Sequence, residues 1–73
     1  MAAAIAMTER RLGAVVRRLR RELDLTQAQL ARRSGLDQGH ISQIESGKRA
    51  NPTTAVVKRL ARALGVSAAE LLD

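Results

Sequence analysis

Leu12, Val15, Val16, Leu19 and Leu23 recur three or four positions apart, the spacing that lines one side of a helix. Arg10, Arg17, Arg18 and Arg21 fall on the outer side of the same wheel. Thr8 is the expected cap of this first helix, with Glu9 in its first turn. Residues 1–11 read as an N-terminal extension, helical or frayed, and residues 12–73 as the domain proper. Asp24-Leu25 breaks the stripe, and Thr26 caps a second helix, with Gln29 three residues on as a capping box requires. Leu30 and Ala31 are its inner face, and Ser34-Gly35 stops it. Leu36 then packs inward, Asp37 caps a third helix, Ile41 and Ile44 are its inner face, and Ser46-Gly47 ends it. Lys48-Arg49-Ala50-Asn51-Pro52 is a basic loop, because Pro52 disfavours a helical Asn51. Thr53 caps a fourth helix, with Val56, Val57, Leu60, Ala61 and Leu64 inward and Gly65 at its end. Ser67 and Glu70 form a second capping box that opens a short fifth helix carrying Leu71 and Leu72. The pattern predicts an all-α, compact five-helix domain with tight turns, no repeat and no linker.

Composition narrows the chemistry. The chain has 73 residues and no cysteine, so one small core must hold it without disulfide or thiolate metal site. Its formal net charge of +6 favours a polyanionic partner. Only Lys48 and Lys58 among the cations are lysine, and arginine grips phosphate with a planar fork. There is no aromatic residue, and binders of single strands stack bases on aromatics, so a duplex is the better partner. Apolar runs are too short to span a bilayer, and Met1–Met7 lacks the basic flank of a secretion signal. The expected location is the cytoplasm, in association with the nucleoid. A cluster of His, Cys and Asp, paired carboxylates and a Gly-rich phosphate loop are all missing from the pattern, so neither an enzyme, a metal site nor a cofactor is expected.

The segment that points to function is the pair of short helices joined by Ser34-Gly35-Leu36. So short a turn forces the helices to cross steeply, and Gly35 lets the chain reverse there. In a helix-turn-helix the second of two such helices lies in the major groove and the first crosses the backbone. With Ile41 and Ile44 inward, the third helix presents Gly39, Ser42, Gln43 and Ser46 outward and Gln38 at the rim. A face of short polar residues and glutamines suits a groove, where Gln pairs with adenine edges and Ser with several bases. The plain alternative is a solvated face on a helical hairpin.

The stretches Leu25-Thr-Gln-Ala-Gln-Leu-Ala-Arg-Arg-Ser-Gly-Leu36, His40-Ile-Ser-Gln-Ile-Glu-Ser-Gly-Lys48 and Leu60-Ala-Arg-Ala-Leu-Gly-Val-Ser67 resemble, in the right order, the helix-turn-helix domain of Cro/phage-repressor (XRE-like) type. The resemblance covers residues 12 to 73 and implies a lambda-repressor-like fold with the helix-turn-helix at helices two and three. It also implies a double-stranded DNA operator as partner, bound by a homodimer. It places base readout on Gln38, Ser42 and Gln43. Gly39 departs from the family's pattern, which often has a polar side chain there, so either the backbone nears the groove or one base goes unread. Thr26, Gln27, His40, Ser46, Lys48 and Arg49 are the expected phosphate contacts. The resemblance further suggests that Arg20 and Glu45 form a partly buried ion pair tying the first helix to the third. Arg32, Arg33, Arg59 and Arg62 are read as solvated.

The function so implied is a sequence-specific transcriptional regulator, a repressor on an inverted-repeat operator. Two other readings stand beside it: a protein-docking module of the multiprotein-bridging coactivator type, and a small antitoxin or restriction-modification controller. Ile5, Met7, Leu71 and Leu72, left over once the core is filled, are candidate contacts between copies.

Overall fold

In a computed structural model, residues 2–48 and 52–72 are described, with side chains from residue 11 onward. Among these residues the chain forms five helices and no strand: α1 (Ala2–Glu22), α2 (Gln27–Ser34), α3 (Gln38–Ser46), α4 (Thr54–Leu64) and α5 (Ala68–Leu72). Thr8 lies inside α1 and does not start it. The alanine-rich segment before it has high helix propensity and no residue that stops a helix.

The first four helices close in the same way. In each, the first residue after the helix end (the second for α1) takes a left-handed conformation, and the next backbone N–H turns back onto a carbonyl five residues earlier. Gly35, Gly47 and Gly65 do this for α2, α3 and α4, with φ of 74°, 75° and 73°. Their following amides donate to Ala31, Gln43 and Ala61 at 3.0, 3.1 and 3.0 Å. At the end of α1 Asp24 takes the role with φ 56°, and Leu25 N donates to Arg20 O at 3.0 Å. Asp tolerates this conformation better than most side chains.

The starts are less uniform. Thr26 and Gln29 form the full capping box: Gln29 N donates to Thr26 Oγ1 at 3.0 Å and Thr26 N to Gln29 Oε1 at 2.8 Å. Val56 N donates to Thr53 Oγ1 and Glu70 N to Ser67 Oγ, each at 3.2 Å. Asp37 occupies the cap position of α3 without a side-chain hydrogen bond.

One core joins all five helices. Leu12 and Val16 of α1, Leu30 and Ala31 of α2, Ile41 and Ile44 of α3, Val57, Leu60, Ala61 and Leu64 of α4, and Leu71 of α5 pack together in it. Leu71 is only 1 % exposed, so it is a core residue and not a surplus contact for a second copy. Leu23, expected on the inner stripe, is 46 % exposed. It lies past the end of α1, where the closing turn takes it off the helix wheel. Leu25 is buried in its place.

α1 makes its broadest contact with α3. Gly13 permits it: a Cβ there would fall on the Ile44 carbonyl oxygen and 2.9 Å from the Glu45 carbonyl oxygen. The C-terminal turn of α3 therefore lies directly against the backbone of α1. The tight turn Gly35-Leu36-Asp37, with Leu36 packed on the core, fixes α3 against α2.

Candidate nucleic-acid interface

The residues that hold α3 in place also shape the ground beside it. Arg20, on α1, reaches Glu45 near the end of α3 with two parallel hydrogen bonds, Nε to Oε2 at 2.6 Å and Nη2 to Oε1 at 2.9 Å. Its remaining nitrogen, Nη1, donates to the Leu25 carbonyl at 2.7 Å, where the chain enters α2. One guanidinium thus ties α1, α3 and the start of α2. The side chains of Arg20 and Glu45 are 11 % and 4 % exposed, so both charges are largely shielded from water and depend on each other. Burial pushes the Glu45 carboxyl upward, but hydrogen bonds from Arg20 and Gln27 and the charges of Arg20 and Arg17 outweigh it and hold the group below the usual glutamate value. The same hydrogen bond to Glu45 raises Arg20 against the effect of burial.

α3 turns Ile41 and Ile44 into the core and leaves Gln38, Gly39, Ser42, Gln43 and Ser46 exposed on the other side, with His40 half-buried at the flank. No charged side chain stands among the five. A Cβ at Gly39 would meet no atom within 4 Å. Nothing in the fold demands glycine there, and the helix backbone is open to whatever approaches it. Ser46 Oγ donates to the Gln43 carbonyl at 3.0 Å, so its hydroxyl must rotate to donate to a phosphate. Lys48 follows the end of α3 and is exposed, whereas Arg49 lies outside the described residues.

α2 presents its first turn to the same side. Thr26 is exposed, and its hydroxyl oxygen accepts from Gln29 N, which leaves the O–H to donate elsewhere. Gln27 is half-buried, and its Nε2 donates to Glu45 Oε1 at 3.2 Å. Sequence reasoning names Gln27 as a phosphate contact but does not show that its side chain is oriented by the ion pair.

Between these elements runs an open cleft of about 320 Å³, lined by Arg17 and Arg21 from α1, Gln27 from α2, and Ser42 and Ser46 from α3, with the Arg20–Glu45 pair at its base. Sequence reasoning put Arg17 and Arg21 on the outer side of α1 and gave them no part in the site. Their spacing of four on one helix face was the available signal, but only the close approach of α1 to α3 brings them beside Ser42. Among the described residues no cluster of three or more His, Cys, Asp or Glu could hold a metal ion, and no helix is long and apolar enough to cross a membrane.

Comparisons with known proteins bear on the family and the fold. A family described as Helix-turn-helix matches residues 16–71. An uncharacterized HTH-type transcriptional regulator of Sinorhizobium fredii, y4dJ, is 48% identical over 61 residues, which are 84% of this chain and 78% of that protein. The HTH-type transcriptional repressor RghR of Bacillus subtilis is 48% identical over 54 residues, 74% of this chain but only 40% of its own length. Among solved structures, the restriction-modification controller protein C.AhdI from Aeromonas hydrophila superposes with a TM-score of 0.82 at 35% identity, over 86% of this chain and 94% of that one.

Proposed function

The chain belongs to the helix-turn-helix family of transcriptional regulators, and on that footing we propose that it represses transcription by binding an inverted-repeat operator in duplex DNA as a homodimer. The observation that carries the reading is the exposed face of α3. It is polar and uncharged, and it stands between a cleft with two arginines and the exposed Lys48. Such a face matches base edges, and cations on either side match the phosphates that flank a groove. Gln38 and Gln43 read bases, with Ser42 between them and Gly39 admitting close approach of the helix backbone. Thr26, Gln27, His40, Ser46, Lys48 and Arg49 fix the protein to the phosphates without reading sequence.

Repression is supported by the likeness to RghR, a repressor of which this chain matches part. The likeness to C.AhdI along 94% of its length supports a restriction-modification controller as a second reading. Both are regulators at DNA. Selection of bound duplexes from a random pool, followed by titration against salt, tests the proposal. A recovered inverted repeat and a steep fall of affinity with salt are expected. Failure to enrich any sequence, with a flat salt response, overturns it in favour of a protein-docking module.

A further inference from the structure

We infer that the cleft between α1, α2 and α3 seats one phosphate of the duplex, with Arg17 and Arg21 as its cations and Gln27 as its aimed neutral donor. The inference rests on the DNA-binding reading above and extends it to two residues on α1 that lie outside the helix-turn-helix itself.

Three observations carry it. The first is charge. Arg20 and Glu45 neutralise each other at the base of the cleft, and the Glu45 oxygens are taken: Oε2 accepts from Arg20 Nε, and Oε1 from Arg20 Nη2 and Gln27 Nε2. A phosphate above them therefore meets no bare carboxylate. It meets the excess of Arg17 and Arg21, both exposed on α1 and one helical turn apart. A pair of guanidinium forks at that spacing suits one tetrahedral anion.

The second is orientation. A glutamine amide has two N–H groups. Glu45 fixes one of them on Gln27, which turns the nitrogen and not the oxygen toward the acidic end of the cleft and leaves the second N–H to donate. Glu45 is in this sense a positioning residue, since it sets which face of Gln27 a phosphate meets.

The third is placement. Ser42 belongs both to the cleft and to the exposed face of α3. A groove that accepts α3 is about 12 Å wide and bounded by its two phosphate strands, so the strand on the α1 side must pass the cleft mouth. Lys48 lies past the C-terminal end of α3 and can serve a different phosphate.

The test is the salt dependence of duplex binding by Arg17→Ala, Arg21→Ala and the double variant, with Arg62→Ala as a control that removes one charge from the exposed side of α4. Each lost phosphate contact lowers the slope of log affinity against log salt by about 0.9. Because one phosphate is at stake, the expected result is a reduction near that size in the double variant, a smaller one for Arg17→Ala or Arg21→Ala alone, and none for Arg62→Ala. Preference among base-substituted duplexes should stay as in the parent. Arg17→Lys and Arg21→Lys keep the charge and should restore the slope, which separates a lost contact from a disturbed fold. If the parent binds with a steep slope and the α1 alanine variants keep that slope, the seat is wrong and the DNA reading stands. If the parent itself shows no salt-dependent binding, both fall together.

Discussion

Substituting Gly13 by alanine should destabilise the protein, although alanine is the better helix former. In the interior of an exposed helix the exchange stabilises by roughly 0.5–1 kcal/mol. At Gly13 the added methyl group would fall on the Ile44 carbonyl oxygen and 2.9 Å from that of Glu45. Both obstacles are backbone, so no side chain can swing aside, and α1 must lift away from the end of α3. Forcing an extra carbon into such a contact costs about 1–3 kcal/mol. The balance is a loss of about 1–2 kcal/mol. In a domain of this size each kcal/mol moves the melting temperature by about 4–8 °C. The melting temperature of Gly13→Ala should therefore fall by roughly 5–15 °C. Gly39→Ala is the matched control, because no atom lies within 4 Å of its added Cβ. It should hold or raise the melting temperature. Thermal unfolding followed by circular dichroism checks both, and a Gly13→Ala variant as stable as the parent would refute the close approach of α1 to α3.

The Arg20–Glu45 pair should show coupling: because it lines an open cleft, Arg20→Ala or Glu45→Ala alone should cost less than the roughly 3–5 kcal/mol of a fully buried pair, and a double-mutant cycle with no coupling would rule the pair out. Stability should also fall in acid. Because the folded Glu45 carboxyl is held below its unfolded value of about 4.3, its contribution is complete above that pH and disappears as the pH drops through the lower folded value. The acid limb of a melting curve against pH should accordingly be shallower in Glu45→Gln. On DNA, two protomers per inverted repeat are expected, with half-sites about 34 Å apart. Ultracentrifugation that finds one protomer per duplex, with one half-site protected, would contradict the dimer.

Helix order and helix ends were open to reading because their determinants are local. Thr26 with Gln29, Thr53, and Gly35, Gly47 and Gly65 each act on backbone within a turn of themselves. Leu23 failed the same reading: the break at Asp24 was legible, but periodicity carries the stripe to Leu23 although the helix already ends at Glu22. Leu71 failed for another reason. Whether the last leucines meet the core depends on where α5 folds back, which no short-range spacing encodes. Of the candidate site, the outward face of α3 followed from the wheel once Ile41 and Ile44 were inward. The cleft did not, because Arg17 and Arg21 join Gln27 and Ser42 only through the contact that Gly13 allows. The Arg20–Glu45 pairing was suggested by family resemblance, and the structure adds its third anchor at Leu25 and its hold on Gln27.

The central claim is that α3 reads bases while its flanks hold phosphate. A base-substitution series on the selected operator, measured with Gln38→Ala, Gln43→Ala and Lys48→Ala, tests it most directly. Loss of a bidentate glutamine–adenine contact should cost about 1–3 kcal/mol at one base position, so each Gln variant should lose discrimination there and change which sequence is preferred. Lys48→Ala should weaken every duplex alike. If the Gln variants instead lost equal affinity for operator and scrambled duplex, α3 would not be the reading helix.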